Sequence, residues 1–165
     1  MALNFIGLDT TDEVKKGWVG AVIRLGQAED IETILAIWLA ASKIAHDFIA
    51  PEYWADNVDA MRQHYLPASE VYVAVDDDTQ QIQGFVALHG DTLAALFVAP
   101  ERQGQGIGQA LMNKVKSRRQ TMTLGVYVRN HRGVAFYERC GFQPLLRQVD
   151  ADTGAEEWLM QWTQA

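Results

Sequence analysis

Cysteine is almost missing from this chain: Cys140 is the only one in 165 residues. An internal disulfide is therefore excluded, and a reducing compartment is expected. A basic surplus is missing too. Lys and Arg total 14 against 21 Asp and Glu, a formal net charge of −7, which argues against a nucleic-acid partner because a phosphate backbone is held by excess cations. No stretch of about 18 apolar residues is present to span a membrane. The N-terminus lacks the basic segment and apolar run of a secretory signal. The histidines, His46, His64, His89 and His131, share no metal-ligand spacing, and with no cysteine pair no metal site is expected. What remains, 48% hydrophobic and 21% charged, is ordinary for a soluble globular domain, here expected in the cytoplasm.

Residues 1–17 show no clear period and read as an appendage ahead of one domain over 18–165. From Trp18, the β-branched run to Leu25 predicts a strand. Glu29-Asp30 opens a helix in which Ile31, Ile34, Leu35, Trp38 and Leu39 form one apolar face, ending near Ser42 to His46. Pro51 starts a second helix carrying Trp54, Val58, Met61 and Tyr65. Alternation predicts strands over 71–75 and 82–89 around the turn 76–80, and the two-sided apolar run 92–98 predicts a central strand. A helix follows over 106–119, with Lys114, Lys116, Arg118 and Arg119 expected outside. A strand (121–128), a short helix (131–140) stopped by Gly141, and two closing strands (142–149 and 155–163) complete a mixed α/β domain.

The most informative segment is the turn Gln103-Gly104-Gln105-Gly106-Ile107-Gly108 between the central strand and the third helix. Its glycines permit backbone conformations closed to other residues and leave no side chains to block a ligand. Successive N–H groups, joined by the orphan donors of the helix start, suit an anion such as a pyrophosphate. A phosphate loop of the P-loop type is excluded, since Gln109-Ala110 stand where Lys and Ser or Thr are needed. The dinucleotide fingerprint fails as well, because position 109 is Gln.

The pattern Gln-x-x-Gly-x-Gly after a strand ending Val98-Ala99-Pro100 resembles the coenzyme A loop of the GNAT superfamily of N-acetyltransferases. The segment Asn130 to Phe142 resembles that family's Asn…Ala-x-x-Phe-Tyr-x-x-x-Gly-Phe signature, in the expected order. His46 to Ile49 and Pro51 to Trp54 are similar to small bacterial members of the YiaC and YjaB type. The resemblance implies a mixed, mostly antiparallel sheet of six to seven strands flanked by about four helices. It also implies transfer of the acetyl group of acetyl-CoA to a primary amine, a small molecule or a protein lysine, in a ternary complex. A non-catalytic acyl-CoA sensor shares the same loop and stays open at this point, as does a monomer or a homodimer.

By resemblance, the strands carrying Phe97-Val98 and Tyr127-Val128 splay apart. The backbone near Phe97 and Val98 holds the pantetheine arm and polarises the thioester carbonyl. Residues 103–108 take the pyrophosphate, and Arg102, Lys114, Arg132 and Arg139 are available to coenzyme phosphates. Tyr137 is the general acid for the leaving thiolate. Asn130 contacts the coenzyme or caps its helix. The base is His46, His89 or a relay of waters, and Cys140 packs as a small apolar residue. The acceptor is expected from the side built by the first two helices, around His46 to Tyr65, where Phe48, Tyr53, Trp54 and Tyr65 stand beside Asp47, Glu52, Asp56 and Asp59, a rim suited to a cationic amine.

Overall fold

The computed structural model describes residues 21–165; the lead-in 1–17 and the start of the first expected strand lie outside the described residues. Strand β1 (Ala21–Leu25) is joined to helix α1 (Ile31–Ala45) by a short 3-10 turn. Asp30 ties the two together. Its carboxylate accepts from Arg24 at 2.7 Å and from the Gln27 N–H at 2.7 Å. Helix α1 buries Ile34, Leu35, Ile37, Trp38 and Ala41, the apolar face expected from three- and four-residue spacing.

The second helix departs from the expected single run over 51–65. It begins at Pro51 as α2 (Pro51–Asp56), breaks at Asn57, and continues as the short α3 (Val58–Ala60) and a π turn (Met61–Tyr65). Asn57 breaks it by donating its side-chain amide to the Tyr53 carbonyl at 2.7 Å, a local bond that competes with the helix ladder.

Strands β2 (Glu70–Asp76), β3 (Ile82–His89) and β4 (Thr92–Val98) follow, then α4 (Ile107–Lys116), β5 (Thr121–Tyr127), α5 (His131–Arg139), β6 (Gln143–Val149) and β7 (Glu156–Thr163). The sheet has seven strands in the order β1-β2-β3-β4-β5-β7-β6. All pairings are antiparallel except β4 with β5, which are parallel and paired only at Thr92 and Thr123. Past that point the two strands diverge. One core, around Ile107, Leu111, Met122, Leu124 and Met160, lies under α4 with Tyr137 of α5 against it; the other, around Ile34, Trp38, Val73 and Phe85, lies under α1 and α2. Among the described residues no helix is long and apolar enough to cross a membrane.

One glycine fixes how closely α4 approaches the sheet. A Cβ on Gly84 of β3 would sit 2.9 Å from the Phe97 carbonyl oxygen, and 3.3 Å from both Ile107 and Leu111. The nearest obstacle is backbone and does not yield as a side chain would. Gly84→Ala is expected to destabilise the fold by about 1–3 kcal/mol through overpacking, read from urea unfolding at constant m-value.

Candidate functional site

The Gly-rich turn connects the 3-10 turn Pro100–Arg102 to α4. Gly104 has φ +79 and Gly106, the residue capping α4, has φ +88. Both values lie in the left-handed region that costs other residues roughly 1–2 kcal/mol. Gln103, Gly104, Gln105 and Gly106 are exposed, and no heavy atom lies within 4 Å of the place a Gly104 Cβ would occupy. Ile107 is buried and anchors the turn. The first N–H groups of α4 have no partners within the helix. Gly108 has a different duty: its Cα faces the Phe136 ring, 3.4 Å from where a Cβ would stand. The exposed Gln103 side chain reaches back along the surface, donating to the Val98 carbonyl at 3.2 Å. It pins the turn to the end of β4.

The edge of β4 that faces the divergence can be identified from its pairing. The Ala99 N–H donates to the Gln83 carbonyl at 2.8 Å, so alternation turns the polar groups of Phe97 toward β3 and those of Leu96 and Val98 toward the gap. Sequence reasoning points to the backbone near Phe97 and Val98; in this register the amide groups turned toward the gap are those of Leu96 and Val98. The Phe97 ring instead stacks on Phe85 at 5.9 Å.

Helix α5 starts at Asn130, whose side-chain oxygen accepts from the Gly133 N–H at 3.0 Å, a true N-cap. Two turns on, Tyr137 packs edge-on to Phe136 and Phe142 at 5.4 and 5.8 Å. Burial pushes its phenol well above the ordinary tyrosine range, so it is protonated at neutral pH. Cys140, beside it, is buried with its thiol also pushed up by burial, as a packing residue should be. Lys114, expected outside, is buried with its ammonium 5.3 Å from the centre of the Tyr72 ring; its long aliphatic stem lets a lysine on this face pack.

On the opposite face of the sheet, His46 caps the end of α1 and is only 7% exposed. Its ring lies 5.0 Å from Trp54 and from Tyr127, 6.0 Å from Phe48 and 6.4 Å from Phe97. It therefore touches both diverging strands. Its Nε2 is 3.4 Å from the Asn130 side-chain nitrogen. Burial lowers its pKa to about 4, so it is neutral at pH 7. The unfolded chain binds that proton near pH 6.5, and the folded chain resists it. Stability is thus complete above pH 6.5 and falls as pH drops from 6.5 toward 4, by on the order of 3 kcal/mol. Urea unfolding of the native chain and of His46→Gln across that window checks this, the variant losing less. His89, the other histidine considered, sits exposed at the far end of β3, opposite Thr92. That is about 20 Å of strand from Val98, too distant to serve the same gap.

Beside His46 opens a cavity of about 640 Å³, lined in part by Phe48, Tyr53, Arg129, Arg147, Asp152 and Glu156. Of the expected aromatics, Phe48 and Tyr53 line it, Trp54 is core against Trp38, and Tyr65 is 60% exposed. The expected acids of the second helix do not line it; Asp59, for one, pairs with Arg62 on the surface. The acids at this opening come instead from the β6–β7 turn, which sequence reasoning treated as a bare connection. Beneath them, the Tyr127 hydroxyl donates to Asp150 at 2.6 Å. Burial alone would raise the Asp150 carboxyl, but bonds from Tyr127 and from the Asp152 N–H hold it below the ordinary carboxylate value. Arg129 lies over the Phe48 ring at 4.9 Å, while Arg147 pairs with Glu156.

A model of the acetyltransferase (GNAT) domain matches residues 67–144, the span from before β2 to the start of β6. The peptidyl-lysine N-acetyltransferase YiaC of Escherichia coli is 34% identical over 142 residues, covering 86% of this chain and 96% of that protein. The solution structure of apo YjaB from Escherichia coli superposes with a TM-score of 0.76 at 31% identity, covering 88% of this chain and 99% of that one. The PaiA N-acetyltransferase of Thermoplasma acidophilum, solved with coenzyme A, shares the fold at TM-score 0.73 and 20% identity, over 88% of this chain and 99% of its own.

Proposed function

The chain belongs to the GNAT acetyltransferase family and is an acetyl-CoA-dependent N-acetyltransferase; from that premise we propose that its acceptor is a lysine side chain of a protein, entering through the cavity beside His46. The observation that carries this reading is the gap between β4 and β5, flanked by the exposed Gly-rich turn at one side and an aromatic, charged cavity at the other.

In this reading the N–H groups of residues 104–108 hold the pyrophosphate. The pantetheine arm runs along the free edge of β4 at Leu96 and Val98, and a backbone N–H there polarises the thioester carbonyl. The neutral amine attacks, a C–N bond forms, the C–S bond breaks, and the departing sulfur is met by the Tyr137 hydroxyl. The amine's own proton goes to water in the open cavity. His46 is too weak a base and Asp150 too acidic to take it from an amine. The Asp150 carboxylate, with Asp152 at the rim, attracts the ammonium before it loses that proton, and Tyr53 and Phe48 pack along the lysine stem. At the same rim Arg147 is paired with Glu156, and Arg129, over the Phe48 ring, is placed to meet an acidic neighbour of that lysine. We place the reaction in the cytoplasm, where the lone thiol Cys140 stays reduced.

Labelled acetyl-CoA offered with lysine peptides, free α-amines and polyamines tests the acceptor. Label is expected in the lysine peptides; faster transfer to a polyamine would overturn the assignment. Asp150→Asn is expected to raise KM for the peptide about tenfold, the worth of one charge-assisted contact. KM for acetyl-CoA should stay unmoved.

A further inference from the structure

Asn130 presents its two amide atoms to different partners. Its oxygen accepts from the Gly133 N–H at 3.0 Å, and this settles which way the amide faces. The nitrogen is then the atom 3.4 Å from His46 Nε2. An amide nitrogen only donates, so Nε2 accepts and the imidazole hydrogen sits on Nδ1. That Nδ1 is buried and has no hydrogen-bond partner among the described residues. A buried donor left unpaired is costly. If His46 served packing alone, an apolar ring would fill the same aromatic enclosure without that cost. The useful atom of His46 is Nε2.

The bond from Asn130 to Nε2 is long, and the cap bond from the Gly133 N–H holds the amide in that orientation. A Cβ on Gly133 would stand 2.5 Å from the Asn130 nitrogen, so the amide lies folded over residue 133 with His46 behind it. From this cap the first helical bond of α5 runs, the Val134 N–H donating to the Asn130 carbonyl at 3.0 Å. Tyr137 is seven residues beyond Asn130, two turns along the same face. On its other side the His46 ring rests against Phe48 of the acceptor cavity and against Phe97 and Tyr127 of the diverging strands.

We propose that His46 is a positioning residue: its neutral Nε2 holds the Asn130 amide, and through that cap it sets where Tyr137 meets the leaving sulfur. The inference rests on Tyr137 acting as proposed above. It also makes one strut common to the acceptor wall and the donor-side hydroxyl.

Two variants separate this from the alternatives. In His46→Gln the side-chain oxygen reaches the place of Nε2 and still accepts from Asn130, whereas in His46→Asn it reaches only the place of Nδ1. With acetyl-CoA and a lysine peptide, His46→Asn is expected to lose about tenfold in kcat with KM for acetyl-CoA unmoved, the effect of one misplaced hydrogen bond. His46→Gln should stay within about threefold of the native rate. The pH dependence of kcat/KM should keep its shape in both, and thermal melting confirms that both fold. Equal losses in the two variants, a native rate in His46→Asn, or a pH limb removed by either substitution would overturn the proposal. A native chain that transfers to no amine would instead remove the acceptor reading beneath it.

Discussion

Tyr137→Phe is expected to lower kcat about 100-fold while KM for acetyl-CoA stays within about twofold, the signature of an interaction made only in the transition state. The ring keeps its edge contacts with Phe136 and Phe142, so packing is preserved and only the hydroxyl goes. Burial holds that hydroxyl protonated through the neutral range, and a proton donor is what a leaving thiolate needs. A free thiol ionises near pH 8.5, well below such a phenol, which at first argues against transfer. The same desolvation, however, acts on the sulfur as it departs into the gap, as it does on the Cys140 thiol nearby. In the proposed step the two affinities for the proton approach each other there, and the hydroxyl would stabilise the charge even before the proton moves. Because the hydroxyl does not titrate in the working range, raising the pH should not restore the variant. Melting temperature is expected to hold or rise slightly. Steady-state kinetics with thiol detection reads the result, and an unchanged kcat would take Tyr137 out of the mechanism.

The parts of this site legible in the sequence are those that a local rule dictates. Gly104 and Gly106 sit where φ is positive, and a helix start needs no distant partner to present its N–H groups. Asn130 is followed three residues later by the N–H that it caps. The seven strands and their order along the chain follow from period and turn residues, and the splay followed from the family resemblance. What stayed hidden depends on pairing between distant segments. Which amides of β4 face the gap is set by the Ala99–Gln83 bond to β3, and one step of register exchanges Phe97 for Leu96. The acids of the acceptor side lie about a hundred residues from the aromatics they accompany. The β6–β7 turn reads as a connection until the fold places it across the cavity from Phe48 and Tyr53. Asn57 breaks a helix whose apolar spacing runs straight through it, because its side-chain bond to Tyr53 is not part of any period. His46 was singled out as a titratable group near the acceptor side, yet burial among four rings changes what it does.

Gly106→Asp is expected to weaken acetyl-CoA binding at least about 100-fold, from two independent causes. Gly106 has φ +88, so any side chain there strains the turn or shifts it, and the turn's amides lose their common aim. The carboxylate then adds a negative charge at the N-terminus of α4, where the coenzyme's own phosphates are to sit and where the helix dipole is shared between them. Gly106→Asn separates the causes, because Asn tolerates the left-handed region and matches Asp in size without the charge. It should lose about tenfold or less, and the difference between Asn and Asp should narrow as salt screens the repulsion. Calorimetric titration with acetyl-CoA at low and high salt measures both terms. Native affinity in Gly106→Asp would overturn the phosphate assignment. Equal losses in the two variants at every salt concentration would leave backbone shape, and not charge, as what the turn supplies. The latter outcome is the less expected one: the turn is exposed, the space beside Gly104 is open, and a site of unpaired N–H groups discriminates chiefly by charge.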